Sequence, residues 1–420
     1  MTLDGRFWRF WTATLLANLG DGIGMAAFPL LAASLTGDPL AVAAVAAATS
    51  VPWLVTGLFA GSLADRHHAR TLLVLADLTR IAVLGVLIVA LALGQPPILL
   101  VAVVAFALGV SETVRDTTAS TVVPRLVPTQ LLERANGRMV AGEVVTNSFA
   151  GPLVGGVLFA VGAALPFVAN SAVLVFAVLL VVGLPVGLLG RSSEKPEHVD
   201  PADQVGRGDP AGPTDRAGTN ADAGRGILDG LRWLAGHRTL RVLLLVGALV
   251  TIADGGWYAI FVLFSEQRLG LGPSGFGGLL AFGALGGLLG AWLAERIIGV
   301  DRHGPALLGS IVFTALTPVL LLVAPTLWAA GAVVVITSAG FGVFDVAVAS
   351  LRHRLSPQRL LGRVVAAYRT ALHGAGALGT LAGGGIAAAY GLGAPLIMSA
   401  VIGTIACVLC TRGTWTVPVS

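Results

Sequence analysis

Charge is scarce in this chain. Of its 420 residues, 11% are Asp, Glu, Lys or Arg, against about 25% in an average soluble domain. With 55% hydrophobic residues and a mean hydropathy of +0.87, the scarcity excludes an ordinary soluble globule. A protein of this length cannot hide so much apolar surface from water, whereas a bilayer is itself the apolar solvent. Lysine is nearly missing: Lys195 is the only one, and every other basic residue is arginine. The formal charge is +4, but the basic residues sit in short loops between apolar runs, so no nucleic-acid partner is expected. Cysteine is limited to Cys407 and Cys410 in the last apolar run. They read as two small core residues of a helix rather than a redox or metal pair. Enzyme signatures are absent as well. There is no HExxH, no phosphate-binding GxxxxGK[ST] and no GxSxG in a soluble segment. No cofactor is expected, and an ion gradient is the natural energy source. One charge crossing 100 mV is worth about 2.3 kcal/mol. Met1 to Arg9 is short and runs into a full-length apolar span, so it reads as retained rather than cleaved.

Apolar runs and glycine are abundant. The 56 glycines suit membrane helices, where small residues allow close approach. Runs of about twenty apolar residues fall near 7–34, 39–63, 71–93, 97–121, 137–161, 165–189, 240–265, 274–296, 304–324, 326–350, 364–388 and 393–411. The expected fold is therefore all-α, a polytopic membrane protein of about twelve spans. Alternate loops hold the arginines: Arg66 and Arg70; Arg125, Arg134 and Arg138; Arg191 onward; Arg296 and Arg302; Arg352, Arg354, Arg359 and Arg363. The other loops are nearly bare, with Arg268 the exception. The positive-inside rule then places both termini and the central loop in the cytoplasm.

That loop, about 190–226, is rich in Pro, Gly, Asp and Arg and almost free of apolar residues, so it is expected to be disordered. Gly226 to Arg241 reads as a short amphipathic helix on the cytoplasmic membrane face. The organisation expected is a six-helix bundle over 1–189, a central loop over 190–239 and a second six-helix bundle over 240–420. The bundles repeat. Arg125-Leu-Val-Pro128 through Arg134 matches Arg354-Leu-Ser-Pro357 through Arg363. That register pairs Asp116 with Asp345 and Gly155-Gly156 with Gly384-Gly385. At slightly different spacings Asp21-Gly22 pairs with Asp254-Gly255, and Asp65-Arg66 with Glu295-Arg296. Two such halves around a central site are a common transporter design.

Gly61-Ser-Leu-Ala-Asp65-Arg66-His-His-Ala-Arg70 joins the second and third spans. It resembles the loop signature G-x-L-a-D-R-x-G-R-R/K of the major facilitator superfamily, departing from it at His68 and Ala69. With the twelve spans, the central loop and the repeat, the resemblance covers essentially the whole chain. It implies a cytoplasmic latch that closes the inside when the transporter faces out. Asp65 would meet the positive N-terminal end of the eleventh span. Arg66 and Arg70 would pair with Asp116, and Glu295, Arg296 and Asp345 would repeat the set. The topological alternative is that the arginines only hold the loop inside. Asn147-Ser-Phe-Ala-Gly151-Pro152-Leu-Val-Gly155-Gly156 on the fifth span resembles the G-x-x-x-G-P-x-x-G-G signature of the superfamily's antiporters, with Asn147 in place of the first glycine. It implies tight packing, a kink at Pro152 and export rather than uptake. Asn18-Leu-Gly-Asp21-Gly22 and Leu132-Glu-Arg-Ala-Asn136 resemble the branch of macrolide-efflux and enterobactin-export proteins.

Charges inside the membrane cost roughly 2.5–3.5 kcal/mol on insertion scales and persist when paired, watered or used. Asp21 and Asp254 fall at matching depths of spans one and seven, which makes them proton-site candidates. A carboxyl desolvated in this way takes up and releases protons near neutral pH. Asn18 and Met25 share a face with Asp21, and Trp257 and Phe261 share one with Asp254, as candidate cavity walls. Glu112 is expected to relay protons, meet a cationic substrate or pair with Arg115. Glu143 is a second candidate partner for Arg115, and Asp77 pairs with Arg80 three residues on. His373 shares a face with Arg369 and is a further proton candidate.

The expectation is a monomeric, proton-coupled antiporter in the bacterial inner membrane, with lipid, protons and a small amphipathic substrate as its partners. An importer on the same fold is the first alternative. A scaffold or sensor that recruits a partner through the central loop is the second.

Overall fold

The computed structural model describes residues 3–185, 232–298, 303–324, 326–357 and 360–411. The central loop, the start of the segment from Gly226, Arg302 and Arg359 lie outside them. Within them the chain is helical and crosses the bundle twelve times. The rods are α1 (Gly5–Leu35), α2 (Pro39–Arg66), α3 (Ala69–Ala92), α4 (Ile98–Leu126) and α5, built from Leu132–Glu143, Val144–Ala150 and Gly151–Val161. Next come α6 (Leu165–Val182), α7 (Arg238–Tyr258 continued by Phe261–Gln267), α8 (Pro273–Ile297) and α9, built from His303–Ile311, Val312–Leu316 and Thr317–Val323. The last three are α10 (Leu327–Leu355), α11 (Leu361–Tyr390) and α12 (Ala394–Thr411). A single helical turn at 232–236 precedes α7, with Trp233 stacked on His237.

Local chemistry sets the ends. Asp38 accepts from the Leu40 amide and Thr326 from the Ala329 amide, capping α2 and α10. The sixth span stops at Val182, well short of the expected 189, because Gly183 and Pro185 follow. The kink expected at Pro152 is a wide π-helical stretch over Val144–Ala150, directly before Gly151-Pro152. Pro152 has no N–H to give to the carbonyl one turn back, and the helix loosens there. The apolar run over 304–324 predicts one helix for the ninth span. It widens over Val312–Leu316 and tightens to a 3-10 helix over Thr317–Val323, where Pro318 removes another donor.

The two sets of six helices pack alike. α1 lies against α5 and α6 as α7 lies against α11 and α12, and α2 lies against α4 as α8 lies against α10. The sets meet through α2 with α11 and α5 with α8. Apolar side chains face outward along the rods: Leu99 is 72% exposed and Phe176 60%. Charged ones are drawn inside, as Arg80 and Arg115 are each 1% exposed and Asp77 0%. This inversion of the soluble pattern is what a lipid surround requires.

Three hydrophobic cores fix how the halves sit. One is shared: Phe28, Leu31, Val42 and Phe167 of the first half pack with Trp257, Phe261, Phe264, Phe276 and Leu396 of the second. All of these lie toward the end of the bundle away from the termini. At the terminal end each half keeps its own core, around Phe7, Phe10 and Leu73 in the first and around Leu243, Phe344 and Tyr368 in the second. Among the described residues, the halves therefore share a core at one end, the sealed end, and at the end that holds the termini each keeps its own.

Candidate functional site

Glycine brings the first helix close to the fifth. A methyl group added at Gly22 would strike the carbonyl of Asn147, and one at Gly151 would come within 2.5 Å of Gly22. Gly256 and Gly383 make the same close approach between α7 and α11. At the sealed end, an added methyl at Gly277 would lie 2.5 Å from the Pro152 carbonyl oxygen, while Gly384 abuts Ala43. The Gly-Pro segment of the fifth span is thus a packing surface on two sides, against α1 and against α8.

Between the halves, just inside the sealed end, is a cavity of about 360 Å³. Asp21, Met25 and Phe28 of α1, Trp53 of α2, Arg80 of α3 and Glu112 of α4 line it. So do Asn147, Asn170, Tyr258, His373 and Thr380. One part of the wall is polar and the other is aromatic and aliphatic, which suits an amphipathic guest. His373 stacks on Trp53 across the halves with ring centroids 5.5 Å apart, and its Nδ1 donates to the Arg369 carbonyl at 2.8 Å. The amide oxygens of Asn147 and Asn170 are buried without a protein hydrogen-bond partner.

Beneath the cavity wall lies a cluster of four charges. Arg80 is ion-paired with Asp21 and stands 3.5 Å from Asp77. Arg115 donates its Nε to Asp77 Oδ1 at 2.9 Å and its Nη2 to the Ala13 carbonyl at 3.3 Å. Two carboxylates and two guanidiniums thus tie α1, α3 and α4 together. Removing one member of such a buried set strands the others, at a cost of about 3–5 kcal/mol.

These contacts correct several expectations. Asp77 does pair with Arg80, but Arg80's closer partner is Asp21, so Asp21 is not a solitary carboxyl. Arg115 pairs with Asp77 and with neither Glu112 nor Glu143; it points into the helix bundle while Glu112 points into the cavity. Trp257 and Phe261 do not line the cavity. They pack edge-to-face at 5.1 Å in the shared core, and Tyr258 takes the wall position instead. Asn18 is buried outside the cavity lining and the partly buried Asp254 is outside it too, whereas Met25, Glu112 and His373 line it. No ion pair joins Arg66 or Arg70 to Asp116 among the described residues. Arg70 donates to the Val182 carbonyl at the end of α6. Gly61 and Asp65 fall on α2, and the side chain of Asp65 lies outside what is described. Glu295 and Asp345 are exposed, and Arg296 stacks at 3.6 Å over Trp292. Cys410 packs in the second half's own core with Cys407 beside it, and no disulfide joins the two.

A helical membrane bundle of two like halves around one central cavity is the architecture of a secondary transporter. The sequence matches the Major Facilitator Superfamily over residues 10–380, and the chain belongs to that superfamily. It is 27% identical over 399 residues to the multidrug efflux pump Tap of Mycobacterium tuberculosis, covering 92% of this chain and 88% of that one. The multidrug efflux pump Tap of Mycolicibacterium fortuitum is 27% identical over 404 residues, covering 92% and 90%. Among solved structures, a bacterial homolog of the human lysosomal transporter Spinster, inward-facing and unoccupied, superposes with a TM-score of 0.72 at 15% identity, covering 99% and 98%. A bacterial homologue of the iron transporter ferroportin, also inward-facing, gives 0.72 at 15% identity, covering 96% and 98%. The chain is a multi-pass membrane transporter and not an enzyme.

Proposed function

We propose that the protein exports small amphipathic compounds in exchange for protons, by alternating access, in a bacterial inner membrane. The observation that carries this reading is the cavity between the halves, with a polar side and a larger aromatic and aliphatic side, and with ionisable Glu112 and Asp21 in its wall. The arginine-bearing loops put the terminal end in the cytoplasm. The cavity then belongs to the inward-facing stage, in which an exporter takes up its cargo. The extended similarity to two efflux pumps and the glycine-lined Gly-Pro surface on α5 support export over uptake. Binding the proton and the cargo at one cavity in turn, and never moving empty between the two stages, is sufficient for exchange.

Quenching of a pH-sensitive dye in everted vesicles tests this. Respiring vesicles containing the protein would be offered a panel of antibiotics, dyes and siderophores. Antiport predicts that at least one compound collapses the acid interior in these vesicles and not in vesicles lacking the protein. If instead no compound does so with abundant folded protein, and a labelled compound is taken up by whole cells with the gradient, the direction is inward and the export reading is wrong.

A further inference from the structure

The charge cluster separates the roles of the two cavity acids. Asp21 is held by Arg80, whose guanidinium also leans on Asp77, and Asp77 in turn holds Arg115. Asp21 and Asp77 balance Arg80 and Arg115, so the set is neutral only when both aspartates are ionised. Protonating Asp21 would leave a guanidinium that is 1% exposed short of its counter-charge in a dry interior, where an unpaired charge is expensive. Glu112 is placed differently. It lines the cavity on α4, and no basic side chain comes within ion-pair distance of it among the described residues.

We infer that Glu112 carries the transported proton, and that Asp21 is the fixed counter-charge of Arg80. This rests on the antiport reading and assigns its carrier. The charged groups near Glu112 are Asp21 on α1, Arg80 on α3, Asp116 on its own helix and, turned away toward Asp77, Arg115. Glu143 on α5 and Arg369 and His373 on α11 stand around the same space. With the two arginines already neutralised by Asp21 and Asp77, an ionised Glu112 is excess negative charge beside Asp21. Taking up a proton removes the excess, and no buried pair is broken. The route to the terminal end is short. Asp116 lies one helical turn further along the same face of α4, so a proton leaving Glu112 meets a second acceptor in the direction of the cytoplasm. Asp254 is not among the residues that line the cavity.

The test reads the proton directly and needs no known cargo. The full-length protein, reconstituted in lipid, is titrated with pH while the infrared stretch of carboxylic-acid carbonyls is recorded. The wild type is expected to show a protonated-carboxyl band that vanishes as the pH rises. Against the wild type, Glu112→Gln should lose one carboxyl's share of the band near neutral pH, Glu112→Asp should keep that share with a displaced midpoint, and Asp21→Asn should keep it unchanged. Glu112→Gln removes no ion pair and is expected to elute as the wild type does on gel filtration. A wild-type-minus-Glu112→Gln difference spectrum with no carboxyl titrating near neutral pH overturns the assignment, whichever other acid then proves to own the band, and so does a wild type with no band titrating in that range. Antiport itself stands or falls on the vesicle experiment, since a titrating Glu112 in a protein that collapses no gradient would refute the export reading alone.

Discussion

At the scale of single residues, the most consequential contact is one that sequence spacing could not supply. Asp77 and Arg80 stand three apart on one helix, and local geometry pairs them. Arg80 nevertheless turns to Asp21, which comes from another helix, and Arg115 fills the place at Asp77. Nothing in the linear order distinguishes these partners, because the choice depends on how α1 leans across α3 and α4. Asp77 is the centre of the cluster, and at 0% exposure it has no water to fall back on. Asp77→Ala is expected to destabilise the protein by about 3–5 kcal/mol, seen as a drop of many degrees in thermal unfolding in detergent. Replacing the pair together, Asp77→Leu with Arg115→Met, leaves Arg80 with Asp21 and should recover most of the loss. If Asp77→Ala melts with the wild type, the cluster does not hold these helices.

The internal repeat also misleads at this scale. It equates Asp254 with Asp21, but the register that pairs Asp65 with Glu295 sets Leu307 and Ser310 opposite Asp77 and Arg80. The second half therefore carries no charge at those two positions. Both of its substitutes are buried, and Ser310 spends its hydroxyl on the Leu307 carbonyl. The cavity is electrostatically one-sided, with its ionisable wall drawn mainly from the first half.

At the scale of helices, the sequence was most legible. Long apolar runs between arginine-bearing and arginine-free loops mark all twelve rods, because lipid forces each crossing to satisfy its own backbone. The departures sit where proline or glycine acts locally: the early stop of α6 at Gly183, the wide turn before Pro152, and the tightened end of α9. Which face of a helix meets the cavity was less legible. Trp257, Tyr258 and Phe261 are all aromatic and close in sequence, and hydropathy alone cannot say that only Tyr258 reaches the cavity. Glycine abundance is likewise ambiguous until the contacts are seen. At Gly22 an added methyl would meet the Asn147 carbonyl, whereas at Gly85 on α3 nothing lies within 4 Å. Gly22→Ala is thus expected to cost about 1–3 kcal/mol through overpacking, and Gly85→Ala to gain roughly 0.5–1 kcal/mol through helix propensity. Opposite shifts of the melting temperature in the same detergent would bear out the distinction. Equal shifts would mean that glycine here reflects composition and not packing.

At the scale of the whole molecule, the arrangement of cores describes a two-state device. One apolar core spans both halves at the sealed end, while at the other end each half is complete on its own. Opening the sealed end must divide the shared core, and closing the terminal end must provide contacts in return, such as the latch that the loop after α2 resembles. The sealed end rests on two glycine-lined crossings, α5 with α8 and α2 with α11, where Gly277 meets Pro152 and Gly156, and Gly384 meets Ala43. A wedge at one crossing should therefore disturb the other, because the halves move as bodies and the populations shift together. Gly277→Leu is expected to hold the sealed end open. The reporter is Ala43→Cys, placed at a site that is 0% exposed beneath α11, in a background with Cys407→Ala and Cys410→Ala. A membrane-impermeant thiol reagent should leave that cysteine unlabelled in the parent protein and label it in the Gly277→Leu protein. Protection in both would show that the two crossings close independently, and the halves could not then be rocking about the cavity as units.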